Sequence, residues 1–217
     1  VAFYTLGCKV NQYETESIKK QFIEMGYIDG NFEESADVYV INSCTVTNLA
    51  DRKTRNMLRR AKSLNPNSIV VATGCYAQTN ADDVAKIEEV DYIIGNTDKD
   101  KIAQIVENRE KREVKDIFQE KEYLETGFST LREMTRAYIK IQDGCNNFCS
   151  YCKIPFARGN KRSRSIESIL EEVKTLAKEG YKEIILIGIN LGAYGEDIKE
   201  KKISLEDVME ESSKIDG

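Results

Sequence analysis

The sequence predicts an α/β protein: an open parallel sheet with helices on both faces, followed by the first βα units of a partial parallel α/β (TIM-like) barrel. Two observations carry this prediction. Short apolar segments alternate with amphipathic helical segments over the first half of the 217 residues, and the same alternation starts again at Arg136. Strands that alternate with helices are typical of parallel sheets with two covered faces.

The first half of the chain contains four predicted strands and four predicted helices. The strands are predicted at 1–6, 37–42, 68–73 and 91–95, and the helices at 11–25, 48–64, 81–88 and 99–107. Gly26 stands where the first helix should end, and Asn65-Pro66 closes the second. We assign residues 1–107 to one N-terminal domain.

A charged segment separates the two alternating regions. Residues 108–134 contain many Glu, Lys and Arg residues, few apolar positions, and an interruption at 127–129. This composition predicts an interdomain linker. A solvated helix at its start is the alternative.

The second region, residues 135–217, repeats the pattern of strand and helix. Strands are predicted at 137–141 and 183–188, a loop at 154–159, and helices at 166–178 and 205–213. Ser165 is a suitable N-cap and Gly180 a suitable stop for the first helix. Two strands cannot close a barrel. Because the chain also begins with Val1 and ends with Gly217, we expect it to be a fragment of a longer protein.

The composition argues against several classes of protein. The chain has no histidine, which excludes Ser-His-Asp and Cys-His nucleophiles and histidine-containing zinc sites. Its net charge of −5 argues against a protein that coats nucleic acid. No run of ~18 apolar residues and no secretory leader is found, so we predict a cytoplasmic protein without a membrane anchor. Six cysteines are then metal ligands or redox thiols rather than a disulfide framework.

Three of the cysteines stand in the same topological position. Cys8, Cys44 and Cys75 each follow a predicted strand. The carboxyl ends of parallel strands share one edge of a sheet, so we expect the three thiols to gather there and form a metal site. Buried structural cysteines are the alternative.

The other three cysteines lie close together in sequence. Three residues separate Cys145 from Cys149, and two separate Cys149 from Cys152. Such a loop can bind three irons of an iron–sulfur cluster and leave the fourth open. A zinc site would require a fourth protein ligand, which no nearby Cys or His offers.

This spacing, with Tyr151 directly before the last cysteine, resembles the radical S-adenosylmethionine motif. The resemblance extends over nearly the whole chain to the methylthiotransferase family. It is carried by the segments 6–16, 42–47, 74–78, 141–145 and 188–195. Within that family the first segment is most similar to the MtaB type, which acts on N6-threonylcarbamoyladenosine at tRNA position 37.

The resemblance implies two [4Fe-4S] clusters. Cys8, Cys44 and Cys75 would hold an auxiliary cluster, and Cys145, Cys149 and Cys152 the radical cluster. Carbon 2 of the adenine would lose a hydrogen and gain sulfur, and a second S-adenosylmethionine would supply the methyl group. The implied partners are tRNA and a flavodoxin- or ferredoxin-like electron donor. Another modified adenosine, ribosomal protein S12, and a non-catalytic iron–sulfur protein are the alternatives.

Weaker signals concern the cofactor and the RNA. We expect Tyr151, Gly188 and Asn190 to contact S-adenosylmethionine, although a structural turn also explains the last two. The tRNA phosphates would be contacted by a basic group after the radical motif, for which a solvated loop is the alternative. This group comprises Arg158, Lys161, Arg162 and Arg164.

Two further features near Cys8 and Cys44 have an open interpretation. The helix after Cys44 contains Arg52, Lys53, Arg55, Arg59 and Arg60, for which a solvated helix face is the simpler explanation. Asn11 and Gln12 follow Cys8 and either approach the auxiliary cluster or the substrate, or cap the following helix.

Overall fold

The structure, a computed structural model, describes residues 1–110, 113–125, 136–199 and 203–216. It confirms the predicted fold class. The N-terminal region contains β1 (Ala2–Thr5), α1 (Lys9–Glu24), β2 (Val38–Ser43), α2 (Asn48–Leu64), β3 (Ile69–Gly74), α3 (Cys75–Thr79), α4 (Ala81–Ala85), β4 (Tyr92–Ile94), a 3-10 helix (Asn96–Lys101) and α5 (Ile102–Glu107). Its four strands are parallel and lie in the order β1-β2-β3-β4.

Strand β2 supplies the core on both faces of this sheet. Val38 and Val40 pack in one cluster with residues of α1 and α5. Tyr39 and Ile41 pack in a second cluster with residues of α2, α3 and α4. Successive side chains of a strand point to opposite faces, and all six residues of β2 are buried. A sheet covered on both faces therefore explains why the strand reads as a continuous apolar run.

The second region forms one complete βαβ unit. It contains β5 (Arg136–Lys140), β6 (Gln142–Asp143), α6 (Ile154–Arg158), β7 (Arg162–Ser163), α7 (Ile166–Lys178), β8 (Glu183–Ile187), a 3-10 helix (Leu191–Ala193) and α8 (Leu205–Ser213). Strands β5 and β8 pair in parallel, and α7 packs against them through its buried apolar face. The Ser165 hydroxyl accepts from the Ser168 amide at 3.3 Å, which confirms the predicted N-cap.

The structure corrects three local predictions. Residues 154–158 form helix α6 and not a loop, because Pro155 occupies the first turn, where its missing N–H costs nothing. The helix predicted at 81–88 ends at Ala85, and a further short helix begins at Cys75. The helix predicted at 99–107 is a 3-10 segment that continues into α5.

The predicted linker, 108–134, is described at 108–110 and 113–125, and its remainder lies outside the described residues. The described part contacts both regions. Lys115 Nζ lies 2.8 Å from Asp98 Oδ1, and the Tyr123 hydroxyl donates to the Lys140 carbonyl at 2.8 Å. The domain boundaries remain a prediction. Within the described part of the chain, no helix is long and apolar enough to cross a membrane.

Candidate functional site

A cleft of about 660 Å³ opens at the carboxyl edge of the N-terminal sheet. Cys8, Cys44 and Cys75 all line it, as the positions after three strands predicted. The opposite wall comes from the second region and includes Arg158 and Gly188. The cleft therefore lies between the two regions of the chain.

Asn11 ties the ends of two strands together beneath the cleft. Its Nδ2 donates to the Leu6 carbonyl at 2.7 Å and to the Ser43 carbonyl at 2.9 Å. These carbonyls precede Cys8 and Cys44, respectively, in the chain. The N-cap of α1 is Cys8 and has no side-chain cap, so Asn11 orients the cysteine loops rather than capping the helix.

Ser43 performs the same task for the third strand. Its hydroxyl accepts from the amides of Tyr76 at 3.1 Å and Ala77 at 3.3 Å, and donates to the Thr73 carbonyl. These contacts fix the start of α3, where Cys75 lies. Cys75 is consequently 4% exposed.

Glycine precedes two of these cysteines because the backbones approach closely. Gly7 has a φ of +109°, and a Cβ there would lie 3.1 Å from Cys44 Sγ. Gly74 has a φ of +90°, and a Cβ there would lie 2.5 Å from the Ser43 backbone. Because glycine has no Cβ, the three loops can pack closely against one another and form one compact rim.

The donor set in the cleft fits an iron–sulfur group. All six cysteines are free, and the rim offers soft thiolates, which suit iron and sulfide. Burial raises the pKa of the Cys44 thiol, so binding a metal there would release a proton. Among the described residues, no three Cys, Asp or Glu side chains are placed to hold a single metal ion. Cys8, Cys44 and Cys75 would hold the group.

The second cysteine set lies on the loop that β6 and β7 bracket. The Cys145 amide donates to the Gly159 carbonyl at 3.1 Å, and the Cys152 amide to the Cys149 carbonyl at 2.9 Å. The Ile154 amide donates to Cys152 Sγ at 3.4 Å. This loop likewise offers only thiols as metal donors and would hold the second group.

The loop after β8 connects the two cysteine sets. Gln142 Oε1 accepts from the amides of Ile189 at 3.0 Å and Asn190 at 2.7 Å, and Asn190 Nδ2 lies 3.9 Å from Cys145 Sγ. Gly188 lines the cleft. This turn is held by Gln142, so the structural interpretation of Gly188 and Asn190 has direct support. Their contact with S-adenosylmethionine, like that of the 88% exposed Tyr151, remains a proposal.

Behind the cleft lies a network of buried charges centred on Glu14. The Glu14 carboxylate binds Lys140 at 2.7 Å, and also Lys99 and Arg158. Burial acts to raise the pKa of Glu14, but the three cations outweigh it and hold that pKa well below its usual range. Asp143 binds Lys140 at 2.6 Å and Arg158 at 3.3 Å. Burial is again outweighed by these cations, and the pKa of Asp143 falls to about 2.

The basic group after the radical motif belongs largely to this interior. Arg158, Arg162 and Arg164 are 1%, 4% and 2% exposed. Arg164 pairs with Glu172, and Arg162 donates to the Arg158 carbonyl at 2.8 Å. The expectation that these arginines contact tRNA phosphates does not agree with their burial. Lys161 keeps a partly exposed side chain, which pairs with Glu196.

Sequence reasoning assigned no role to Glu14, Lys99, Lys140 or Asp143. One signal was available for Lys140, which stands between two isoleucines at the end of an apolar strand. A lysine at such a position is buried only with a partner. No local pattern identifies Glu14 as that partner, since the two residues lie 126 positions apart.

Helix α2 presents exposed positive charge beside the cleft. Its N-cap, Thr47, lines the cleft. Arg52, Lys53, Arg59 and Arg60 are exposed, and Arg60 pairs with Glu33 at 3.0 Å. Arg55 is partly buried instead, and its Nη1 donates to the Tyr76 hydroxyl at 2.9 Å. Helix α2 therefore carries an exposed basic surface that is separate from the group formed by Arg158, Lys161, Arg162 and Arg164.

Two family models match separate parts of the chain. The uncharacterized protein family UPF0004 matches residues 1–95, which contain the first cysteine set. The radical SAM superfamily matches residues 139–213, which contain the second set. The UPF0004 model thus matches the first region of the chain and the radical SAM model the second. The radical SAM part of the resemblance inferred from the cysteine spacing is confirmed.

Curated relatives match almost the whole chain. A protein of Bacillus subtilis (strain 168) named threonylcarbamoyladenosine tRNA methylthiotransferase MtaB is 48% identical over 92% of this chain and 46% of its own length. The protein of that name from Aquifex aeolicus (strain VF5) is 47% identical over 100% of this chain and 53% of its own. A tRNA-2-methylthio-N(6)-dimethylallyladenosine synthase of Clostridium botulinum (strain Loch Maree / Type A3) is 36% identical, over 98% and 49%. The chain spans about half the length of these relatives.

One solved structure has a similar fold. It is that of a radical S-adenosylmethionine methyltransferase, TsrM, from Kitasatospora setae, with a TM-score of 0.55 and 13% sequence identity. The similarity covers 88% of this chain and 49% of that one. It supports the α/β fold class of this chain.

Proposed function

We propose that the protein containing this chain is a tRNA-modifying enzyme. In our proposal it methylthiolates carbon 2 of N6-threonylcarbamoyladenosine at position 37 of tRNA. The observation that supports this most is that the cleft lined by the first cysteine set is joined to the second set by a single loop. Cys8, Cys44 and Cys75 line the cleft, and the loop after β8 runs from its wall to Cys145. The names and identities of the relatives favour this substrate.

The two sets would hold two [4Fe-4S] clusters with separate tasks. When bound, the clusters and S-adenosylmethionine would supply hydrogen abstraction, sulfur and a methyl group. The chain's own residues hold the two cysteine sets in fixed positions. Asn11 and Ser43 fix the rim of the first set, and Gln142 holds the loop that reaches the second.

The RNA would enter beside α2. The N-cap of α2, Thr47, lines the cleft, and Arg52, Lys53 and Arg59 are exposed on the same helix, in a chain whose net charge is −5. A local concentration of positive charge in an acidic chain favours a polyanionic ligand at that place. The remaining partner would be a flavodoxin- or ferredoxin-like electron donor, and the site of the reaction the cytoplasm.

Mass spectrometry of tRNA nucleosides from a deletion strain tests this function. We expect the 2-methylthio group to disappear from threonylcarbamoyladenosine, to remain on dimethylallyladenosine, and to return when the full-length gene is supplied. Loss from dimethylallyladenosine alone would assign the substrate named for the Clostridium botulinum relative. If neither nucleoside changes, tRNA is not the substrate.

A further inference from the structure

Arg158 joins the buried charges to the cleft of the first cysteine set. Its side chain lines the cleft and is almost wholly buried. Nη1 binds Glu14 and Asp143, and Nη2 binds Asn11 Oδ1. Among the described residues, however, the buried Nε has no hydrogen-bond partner. A buried charged donor without a partner is costly, so an anion near the guanidinium would stabilise it.

The charges around Arg158 do not balance. The network contains four cations, Lys99, Lys140, Arg158 and Arg162, and two carboxylates, Glu14 and Asp143, all of them buried. Four positive against two negative charges leave an excess of two. Lys99 and Arg158 both interact electrostatically with the Cys75 side chain. An excess of buried positive charge favours an anion beside it.

We propose that Arg158 stabilises the reduced form of the iron–sulfur group held by Cys8, Cys44 and Cys75, through its buried charge. Reduction adds one electron, and the added negative charge is stabilised by the guanidinium. The proposal rests on the proposed function, in which this cysteine set holds a [4Fe-4S] cluster. Reduction potentials of such clusters depend on net charge and on hydrogen bonds to their sulfurs. Arg158 therefore raises the potential of this cluster.

Asn11 and Glu14 position the guanidinium for this role. Asn11 Oδ1 accepts from Arg158 Nη2, and it also lies 4.0 Å from Cys8 Sγ. Glu14 fixes both terminal nitrogens of Arg158. With its two ends held, the guanidinium keeps a fixed orientation at the cleft wall.

The test is a redox titration of the full-length protein, followed by electron paramagnetic resonance, in a background with Cys145, Cys149 and Cys152 changed to Ala. Only the first cluster then contributes. We expect Arg158→Gln to lower the ratio of reduced to oxidised cluster at a given potential at least tenfold, which corresponds to about 59 mV for one electron. Arg158→Lys should lower it less, because the charge remains while the planar donor is lost.

The matched control is Arg162→Gln, since Arg162 is a buried arginine of the same network that does not line the cleft. An unchanged midpoint in Arg158→Gln, or an equal shift in the control, would overturn the proposal. If Arg158→Gln loses its iron, Arg158→Lys decides, because its midpoint must lie below that of the unsubstituted background. Absence of a cluster in the unsubstituted background would defeat the proposed function itself.

Discussion

Glu14 of the first helix and Arg158 of the segment after the radical motif form a buried ion pair across 144 residues of sequence. Lys99 and Lys140 bind the same carboxylate from two further elements. Glu14 lies in the region that contains the first cysteine set, and Arg158 lies in the region that contains the second. The pair therefore fixes the distance between the two candidate cluster sites, which a flexible connection between the regions could not do.

Removal of the Glu14 charge should destabilise the protein strongly. Glu14→Gln leaves three buried cations without their shared partner, and breaking a buried pair in this way costs about 3–5 kcal/mol. Urea denaturation measures the loss in free energy of unfolding. The control is Glu24→Gln in the same helix, whose pair with Lys20 is exposed and spans 3.8 Å; we expect a change below about 0.5 kcal/mol. Equal losses in the two variants would show that the buried network adds no more to the free energy of unfolding than an exposed ion pair does.

The contribution of Asp143 to stability should disappear in acid. The pKa of Asp143 in the folded protein is about 2, below the value of about 3.9 in an unfolded chain. A lowered pKa means that the charge stabilises the fold above about pH 4 and that this stabilisation is lost as the pH falls towards 2. The difference in free energy of unfolding between the native protein and Asp143→Asn should be constant from pH 7 to pH 5 and shrink below pH 4. A difference that grows with acid contradicts this assignment.

Gly144 should be irreplaceable in the radical motif. Its φ is +70°, and a Cβ there would lie 1.9 Å from the Asn160 carbonyl oxygen. We expect Gly144→Ala to abolish iron binding at Cys145, Cys149 and Cys152, measured by iron content and visible absorption. Gly26→Ala is the matched control, because Gly26 has a φ of +90° and no neighbour within 4 Å. It should lose only about 1–2 kcal/mol of stability and keep its iron.

The exposed face of α2 should carry part of the affinity for RNA. A triple change of Arg52, Lys53 and Arg59 to Gln removes three exposed cations, and the slope of log K against log salt should become shallower by about 2. Fluorescence anisotropy of a labelled anticodon stem-loop, measured over a salt series, gives the binding constant at each salt concentration and hence the slope. The control changes the exposed Lys174, Lys178 and Lys182 to Gln. Identical slopes in the two triple variants would remove α2 from the RNA surface.

Local signals in the sequence were sufficient for most of the fold. Helix α7 begins and ends where its cap and stop residues predicted, because Ser165 accepts from the Ser168 amide and Gly180 has a φ of +90°. The continuous apolar run of β2 likewise identified a strand covered on both faces. The common position of Cys8, Cys44 and Cys75 after three strands predicted the rim of the cleft.

Contacts between distant residues were beyond such signals. Arg158 looked like a surface residue of a basic loop because its partners, Glu14 and Asn11, lie about 145 positions earlier. Because those partners bind its side chain, the arginine at the end of helix α6 lies in the interior. The sequence pattern indicates where charge occurs, but only tertiary packing decides whether it faces water.

The most direct test of the account is the iron and sulfide content of the full-length protein after anaerobic reconstitution. We predict about eight irons and eight sulfides per chain for two [4Fe-4S] clusters. Changing Cys8, Cys44 and Cys75 to Ala should leave about four of each, and so should changing Cys145, Cys149 and Cys152. A native content of about four, zinc in place of iron, or a triple variant that keeps all eight would contradict the claim of two separate cluster sites.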